Sequence, residues 1–348
     1  MQEHLKVISS VLYHDRKINT YKFALIRAIA DVSIAYSYDT SNQVVTIPLE
    51  HLAYKWIAYY WPFMSDGKVN GVRQGSNKTD VVFRRELEAL KAQFLTDTGN
   101  IKTSFIDGGF NFSNKSDDHF HKYKNMLKIV LSKIKDGLKQ PIKYSGTDLF
   151  KTEKGNLIIP TELFKAISLN SLYIEALAIA EWAKYLGKCN YLNVGKAYTI
   201  LTQIPEARQS ISRYREIFTV TGVLCPYCHK PITEGTNRSL ELDHVVPVAV
   251  HPINDLWNLW PSDRKCNGGG GKSDKIPSKT VLIDSKTYVK DNYERYLDSK
   301  YSDLFRSQMQ IRLQVDQFKD LNSVTDKVIN FIDHIAEVRN VNRWAPSA

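Results

Sequence analysis

The sequence has few cysteines and lacks both a membrane-spanning run and a secretory leader. Its 348 residues include only 4 Cys, too few for the disulfide framework of a secreted scaffold. No stretch approaches the ~18 consecutive apolar residues of a membrane helix. The segment Met1–Ser10 lacks the basic region, apolar run and small-residue cleavage site of a signal peptide. The sequence therefore predicts a cytoplasmic protein that does not span a membrane.

Internal repeats are also missing, and the one low-complexity tract is the glycine run Gly268–Gly271, so nothing indicates a repeat architecture. Hydrophobic residues make up 43% of the chain and charged residues 24%. This is the balance of a folded globular protein and excludes a disordered one. A chain of 348 residues is longer than one domain of roughly 100 to 200 residues. We therefore expect more than one domain.

What the chain has in excess is positive charge. Lys and Arg number 47 against 37 Asp and Glu, which gives a formal net charge of +10. Lys and Arg that neutralise phosphates release condensed counterions and so gain affinity, and the charge therefore favours a polyanionic partner. Nucleic acid is the leading candidate and an anionic membrane surface the second.

Apolar side chains recur at helical spacing along most of the chain, so the sequence predicts a mainly α fold with some strand, of the α+β kind. The predicted helices span residues 22–34, 48–61, 81–94, 119–138, 161–167, 172–186, 194–218, 289–304, 306–318 and 323–338. Residues 43–47 (QVVTI) are typical of a short strand. With the helices on either side, this strand predicts an arrangement that resembles a winged helix.

The pattern of helices and motifs along the chain predicts four regions. These are a helical N-terminal domain at 1–140, a helical scaffold at 141–220, a small module that carries the chemistry at 221–280, and a C-terminal helical region at 281–348.

Cys225 and Cys228 form a C-x-x-C pair, CPYC. The two-residue spacer lets both thiolates reach one tetrahedral Zn²⁺ ion, and in a reducing compartment such a pair is typical of a metal site. Cys266 supplies a third thiolate. Asp263, three positions before Cys266, and His229 are both candidates for the fourth ligand. The alternative is a turn that binds no metal, because the second C-x-x-C pair is incomplete.

The segment ELDHVVP alternates apolar and polar residues, which predicts a strand on which Asp243 and His244 point in different directions. Hard cations such as Mg²⁺ or Mn²⁺ prefer oxygen ligands, so Asp243 and the amide oxygen of Asn267 are candidate ligands of a catalytic ion. His244, with an unperturbed pKa of about 6.5, is suited to taking a proton from a water molecule.

The order of these residues resembles that of the HNH endonucleases, also called ββα-metal nucleases. The motifs C-x-x-C, D-H-x-x-P, W-N-L, C-N and K-S-D-K-x-P follow one another between Cys225 and Pro277. The resemblance implies two short strands and a helix around one metal, forming a small nuclease module ahead of C-terminal helices. Asp243 and Asn267 would be metal ligands, His244 the general base, and Asn258 the residue that fastens the loop between them.

The reaction implied by the resemblance is hydrolysis of a DNA phosphodiester. Water attacks in line, the metal stabilises the leaving 3′ oxygen, and the product carries a 5′ phosphate. Because one HNH site cuts one strand, a double-strand break requires a homodimer or two visits. Analogy with stand-alone members suggests restriction or phage defence, where a defence-system protein is a further candidate partner.

Two features differ from the family pattern. Asp263 stands three positions before Cys266 where many members have the first cysteine of a second pair, and Asn267 lies five positions before Lys272 instead of three. Consecutive glycines cost roughly 1 kcal/mol each in a helix, so we expect the helix carrying Asn267 to break early, or the glycines to admit a phosphate backbone. A P-loop is excluded, because Cys266 stands where that motif has its first glycine.

Four basic residues surround the proposed metal and are predicted to position phosphates without reading base sequence: Arg264, Lys265, Lys272 and Lys275. Two other functions stay open. One is a zinc-containing DNA-binding protein that has lost catalysis, and the other is an RNA-directed nuclease. The preference for DNA comes from the family resemblance.

Overall fold

The computed structural model describes residues 2–13, 20–34, 42–64, 73–74, 79–98, 125, 128–135, 143–144, 147–189, 192–202, 211–219, 222–233, 235–236, 238–251, 253–268, 271–313, 315 and 317–346. Helices dominate, and the strands form small sheets, which confirms the predicted mainly α, or α+β, class.

The chain divides into two compact units. The N-terminal unit comprises Met1–Ile106 and Lys115–Pro205, and the C-terminal unit comprises Asp107–Asn114 and Glu206–Ala348. The sequence predicted four regions, with boundaries after residues 140, 220 and 280. Those finer divisions stay predictions.

The N-terminal unit contains seven helices among its described residues that have assigned bounds: α1 (Gln2–Tyr13), α2 (Tyr21–Ser33), α3 (Leu49–Tyr60), α4 (Arg84–Thr98), α5 (Thr161–Leu169), α6 (Ser171–Lys188) and α7 (Val194–Thr202). Its strands are β1 (Val44–Pro48), β2 (Arg73–Gln74), β3 (Thr79–Asp80), β4 (Lys143–Tyr144), β5 (Thr147–Asp148), β6 (Lys151–Glu153) and β7 (Asn156–Pro160). A 3-10 turn at Trp61–Phe63 follows α3.

Strands β1, β7 and β6 form an antiparallel sheet with β7 in the centre. Val45 pairs with Ile159 and Ile47 with Leu157, and all four side chains are buried. This two-residue period explains why the sequence pattern placed a strand here. The β6–β7 turn at residues 154–155 has positive φ at both positions, 48° and 80°, as a two-residue type I′ hairpin requires.

An aromatic core joins the helices of the N-terminal unit, where α2 packs against both α3 and α6. Trp182 of α6 is fully buried, and its ring centroid lies 5.1 Å from that of Tyr60 and 6.4 Å from those of Phe23 and Phe63. Aromatic rings at these separations contribute more than the burial of their area alone. Trp182 is therefore a central packing residue of this unit.

The C-terminal unit contains a 3-10 helix (Ser212–Phe218), β8 (Leu240–His244), a second 3-10 turn (Leu256–Asn258), β9 (Leu259–Asp263), α8 (Arg264–Asn267) and β10 (Ile276–Pro277). There follow α9 (Lys279–Asp284), α10 (Lys286–Leu297), α11 (Ser302–Leu313), α12 (Leu321–Val338) and β11 (Arg343–Trp344). β8 pairs with β9 antiparallel, and β10 pairs with β11 parallel.

Helix α10 supports β9 and the turn before it through two buried tyrosines. The hydroxyl of Tyr293 donates to the carbonyl oxygen of Trp257 at 2.9 Å, and that of Tyr296 donates to the carbonyl oxygen of Leu259 at 3.0 Å. Both buried hydroxyls thereby find a backbone acceptor, as buried polar groups usually do. The strands that carry the site thus rest on the C-terminal helices.

One predicted helix differs in kind from the structure over part of its length. Apolar periodicity predicted one helix over 194–218, but α7 ends at Thr202 and Ser212–Phe218 is a 3-10 helix; Pro205 lies between them and disfavours a helix interior. Of the helix predicted at 119–138, the described residues 125 and 128–135 are helical, and the remainder lies outside the described residues.

No single helix in the described part of the chain is both long enough and apolar enough to cross a membrane. The pair α5 and α6 meets the length and composition requirements only jointly, and it bends by 80°. Trp182 and Leu186 of α6 are fully buried within the N-terminal unit, which accounts for the apolar character of this pair.

We expect Trp182→Ala to lower the free energy of unfolding of the N-terminal unit by about 3–5 kcal/mol, because it opens a cavity among packed rings. Tyr173→Ala is a matched control on the same helix, since the Tyr173 side chain is 74% exposed. Denaturant unfolding followed by circular dichroism measures both. Equal stability of the two variants would contradict this account of the core.

Candidate functional site

The candidate site is built on the β8–β9 ladder and helix α8. The register places Leu240 opposite Asp263 and His244 opposite Leu259. Asp263 ends β9 and also caps α8, since its Oδ1 accepts a hydrogen bond from the backbone N–H of Cys266 at 2.8 Å. The cysteine cluster and His244 therefore lie at opposite ends of the ladder.

The CPYC segment forms a tight turn. The backbone N–H of Cys225 donates to the carbonyl oxygen of Lys230 at 3.0 Å, and that of His229 donates back to Cys225 at 2.8 Å. His229 has a backbone φ of 60°. Its ring stacks on that of Tyr288 in α10, with 4.4 Å between the ring centroids. The turn brings the thiols of Cys225 and Cys228 together, while the His229 ring packs on a helix.

Four side chains form a cluster that could hold a metal ion. The sulfur atoms of Cys225, Cys228 and Cys266 and a carboxylate oxygen of Asp263 all lie within 4.8 Å of one another. Cys225, Cys266 and Asp263 are buried. The structure thus places Asp263, and not His229, as the fourth member. Three thiolates and one carboxylate make a four-ligand set of the kind that a tetrahedral ion takes.

Protons are unevenly shared within the cluster. Hydrogen bonds from Cys225 and then Cys266 hold the pKa of the Cys228 thiol well below its usual value. Donating to Cys228 raises the pKa of Cys225 to about 12, and hydrogen bonding to Cys225 and Cys228 raises the pKa of Cys266. A cation that binds all three as thiolates must displace the remaining protons.

Arg238 lies against this cluster. Its Nη1 is 3.4 Å from Oδ2 of Asp263 and 3.9 Å from Sγ of Cys228. Three thiolates and a carboxylate carry more negative charge than one divalent ion neutralises, and the Arg238 guanidinium offsets part of the difference. Sequence reasoning missed this residue, which lies in a loop with no motif around it.

At the other end of the ladder, Asp243 is almost completely buried, at 5% exposure. Its Oδ2 accepts a short hydrogen bond from the hydroxyl of Tyr227 and lies 3.2 Å from Nζ of Lys272. Burial and the Asp243 charge raise the pKa of Tyr227 well above its usual value, so this phenol stays protonated and donates. Because both contacts fall on Oδ2, Oδ1 is the carboxylate oxygen that could bind a cation.

Lys272 is buried at 0% exposure and points inward. Besides Asp243, its ammonium donates to the carbonyl oxygens of His244 at 3.0 Å, Lys275 at 3.2 Å and Ser273 at 3.3 Å. The sequence predicted that Lys272 contacts phosphate, and the structure corrects this. An ammonium group committed to a buried carboxylate and three carbonyls is not available to a ligand.

The glycine run explains how Lys272 reaches this position. The backbone N–H of Gly271 donates to the carbonyl oxygen of Gly268 at 2.7 Å, and that of Lys272 donates to the carbonyl oxygen of Cys266 at 2.7 Å. A Cβ atom on Gly271 would collide with the carbonyl oxygen of Cys266. The chain therefore turns back tightly on the end of α8, which only glycine permits at this position.

His244 ends β8 and is also buried, at 5% exposure. Its Nε2 lies 3.1 Å from Oδ1 of Asn254. His244 and Asp243 thus have different side-chain partners, as the alternation of a strand predicts. Asn254 was not identified from the sequence.

Asn258 closes the loop between the strands. Its Oδ1 accepts from the N–H of Val246 at 2.8 Å, and its Nδ2 donates to the carbonyl oxygens of Val246 and Ile253, each at 3.0 Å. With its side chain fully buried, the amide replaces backbone pairing that this loop lacks. Asn258 therefore holds this loop closed, and its part in a nuclease site stays a prediction.

Asn267 lies on α8 and contacts Glu241. Its Nδ2 donates to Oε2 of Glu241 at 3.0 Å, and Nε of Arg264 lies 3.4 Å from the other oxygen of that carboxylate. The described contacts bring Asp243 to Tyr227 and Lys272, and they do not join Asp243 to Asn267. A shared metal between Asp243 and Asn267 therefore stays a prediction.

The other predicted phosphate contacts are exposed: Arg264, Lys265 and Lys275. Their side chains reach solvent, unlike that of Lys272, although Arg264 is also paired with Glu241. For two residues that the sequence did not predict, the only available signal was their place beside a predicted residue. Tyr227 lies inside the CPYC turn, and Asn254 lies four positions before Asn258.

Comparison with known families identifies the first part of the chain. A family model described as a domain of unknown function, DUF8808, matches residues 1–201, which is more than half of the chain. The chain belongs to the DUF8808 family. No curated protein and no solved structure matches it. The matched range ends at residue 201, so the candidate site, whose residues begin at Cys225, lies outside it.

We expect Lys272→Met to lower the free energy of unfolding of the C-terminal unit by about 3–5 kcal/mol, because it leaves the Asp243 carboxylate buried without its cation. Adding Asp243→Asn should recover part of this loss, since the double variant buries no charge. Lys275→Met, three residues away and exposed, is the control. Denaturant unfolding of wild type, Lys272→Met, Asp243→Asn, the double variant and the control checks the coupling. Additive losses of the two single variants in the double variant would contradict it.

Proposed function

We propose that the C-terminal unit is a metal-dependent endonuclease of the HNH type that hydrolyses DNA phosphodiester bonds. The observation that supports it most is the placement of His244 at the end of a strand, beside Asp243, in a ladder closed by Asn258 and followed by the helix that carries Asn267. A buried histidine held at a strand end is suited to proton transfer at neutral pH.

For the cysteine cluster we propose a structural Zn²⁺ ion. Soft thiolate ligands in a closed four-ligand set are typical of structural zinc sites, which contribute directly to folding. Cys225 and Cys228 tie the CPYC turn to α8 through Cys266 and Asp263. Such a staple would fix α8 against the β8–β9 ladder.

For catalysis we propose a second divalent ion, Mg²⁺ or Mn²⁺, held by Oδ1 of Asp243 and the amide oxygen of Asn267. Both atoms are hard oxygen donors of the kind that these ions prefer. Tyr227 and Lys272 would orient the Asp243 carboxylate, as outer partners of metal ligands usually do. The ion would supply charge stabilisation for the phosphodiester and its leaving oxygen.

The remaining steps fall to the residues of the chain. His244 accepts a proton from the attacking water, and Asn258 keeps the loop beside it closed. The exposed side chains of Arg264, Lys265 and Lys275 neutralise phosphates and fix the register of the substrate without reading its sequence. The N-terminal unit, as a DUF8808 domain, would select the target, in a role in restriction or phage defence that rests on analogy.

We expect His244→Ala to reduce plasmid nicking in Mg²⁺ by about 10²–10⁴-fold, the usual contribution of a positioned general base. His334→Gln is the matched control, because His334 is a histidine of the same unit that lies on α12, outside the β8–β9 ladder and α8. The rate of plasmid relaxation on agarose gels measures both.

Two outcomes would count against catalysis through His244: equal nicking by wild type and His244→Ala, or no nicking by either protein. A folded protein that binds DNA but never cuts it would instead support the zinc-containing DNA-binding alternative. RNA offered in the same tube distinguishes the RNA-directed nuclease, since that enzyme would cut RNA in preference to the plasmid.

For the cluster, we expect about one zinc ion per chain in freshly purified protein, and a loss of most of it in Cys228→Ser, because a three-ligand site binds more weakly. Cys189→Ser is the control, since Cys189 is a free cysteine outside the cluster. Metal analysis of the three proteins measures the zinc content. Wild-type protein without zinc would reject the proposed zinc site.

A further inference from the structure

We infer that Arg238 is a positioning residue of the cysteine cluster: it holds one oxygen of Asp263 toward the ion, while the other oxygen caps α8. The inference rests on the proposed zinc site and does not depend on the nuclease assignment. It goes beyond charge balance, because a single side chain outside the four ligands would set the direction of the fourth ligand.

The two oxygens of the Asp263 carboxylate have different partners. Oδ1 accepts a hydrogen bond from the backbone N–H of Cys266 at 2.8 Å. Oδ2 lies 3.1 Å from Sγ of Cys228 and 3.4 Å from Nη1 of Arg238. Each carboxylate oxygen has two lone pairs, so Oδ2 can bind an ion and still accept from the guanidinium. Oδ2 is therefore the oxygen on the side of the Cys228 thiol, and Oδ1 is the oxygen on the side of α8.

Burial makes Asp263 dependent on a cationic partner. Its side chain is only 1% exposed, and a buried carboxylate that loses its positive partner is strongly destabilising. Thiolates beside it would repel the carboxylate, since like charges at short range oppose each other. Arg238, whose side chain is 28% exposed, carries a permanent positive charge. The guanidinium therefore holds the carboxylate at a place where thiolates alone would push it away.

The backbone of Arg238 is itself anchored in a tight turn. Its N–H donates to Oγ1 of Thr236 at 3.0 Å, and its carbonyl oxygen accepts from the N–H of Thr233 at 3.0 Å. The carbonyl oxygen of the next residue, Ser239, accepts from the N–H of Arg264 at 3.1 Å. Arg264 is the first residue of α8. The turn that carries Arg238 is therefore joined directly to the helix that Asp263 caps.

A guanidinium suits this position better than an ammonium. One nitrogen of Arg238, Nη1, lies near two ligand atoms at once, 3.4 Å from Oδ2 of Asp263 and 3.9 Å from Sγ of Cys228. The planar group presents its donors in a fixed geometry, whereas lysine carries a compact charge on a flexible stem. A lysine at position 238 would thus keep the charge and lose part of the orientation.

The test measures zinc affinity of the full-length protein by competition with a chelator of known affinity. Partners that orient metal ligands typically contribute 10- to 100-fold to affinity, and we expect Arg238→Met to bind zinc about 10- to 100-fold more weakly than wild type. Arg238→Lys should recover part of this loss. Lys230→Met is the matched control, since it removes one positive charge from an exposed side chain of the CPYC turn, and we expect it to bind like wild type.

Co²⁺ bound in place of zinc separates a positioning role from a general loss of structure. The sulfur-to-cobalt charge-transfer absorption requires bound thiolates, and Cys228→Ser shows how the spectrum changes when one thiolate is lost. We expect Arg238→Met, saturated with Co²⁺, to keep the wild-type absorption, because its three cysteines still bind. A spectrum of Arg238→Met that matches Cys228→Ser would overturn the inference.

A double-mutant cycle with Asp263→Asn decides whether Arg238 acts through Asp263. The asparagine removes the charge that Arg238 pairs with and keeps an oxygen that can cap α8. We expect Arg238→Met to weaken zinc binding less in the Asp263→Asn background than in wild type.

Three affinity results would overturn the inference: equal losses in the two backgrounds, equal affinity of Arg238→Met and wild type, or the same loss in Lys230→Met as in Arg238→Met. Each of these leaves the proposed zinc site standing. Wild-type protein that binds no zinc would overturn the zinc site and the inference together, so the two failures are distinguishable.

Discussion

The buried ion pair between Asp243 and Lys272 is the contact on which the candidate site depends. One ammonium group joins the last two residues of β8, through the Asp243 carboxylate and the His244 carbonyl, to the segment that follows α8. The hydroxyl of Tyr227 donates to the same carboxylate and so links the CPYC turn to β8. A charge pair in the interior needs hydrogen bonds from the groups around it, and the Tyr227 hydroxyl and three backbone carbonyls supply them here. Strand, turn and helix therefore keep their positions together.

The sequence predicted those parts of the site that depend on spacing. The two-residue spacers between Cys225 and Cys228 and between Asp263 and Cys266 each place two side chains within reach of one ion almost regardless of the surrounding fold. The cluster that the structure shows has these members. Helices with clear apolar periodicity, such as α2 and α12, were predicted for the same reason, because local spacing fixes which face is buried.

The sequence did not predict what depends on the direction of a side chain. A lysine beside glycines and other cations has the composition of a phosphate contact, but the tight turn at Gly271 points Lys272 inward. Asn254 belongs to no recognised motif position, and its contact with His244 exists only because the loop is folded back by Asn258. Asn267 meets Glu241 because α8 lies across the ladder, which spacing along the chain does not reveal.

The last described strand has a consequence for how the molecule is made. Arg343 and Trp344 pair with Ile276 and Pro277, and the Trp344 ring packs edge-on against Tyr227 at 5.5 Å. A ribosome must therefore translate as far as residue 344 before the core around Tyr227 can close. A nascent or prematurely terminated chain would lack that covering, so the candidate site would be complete only on chains synthesised to that point.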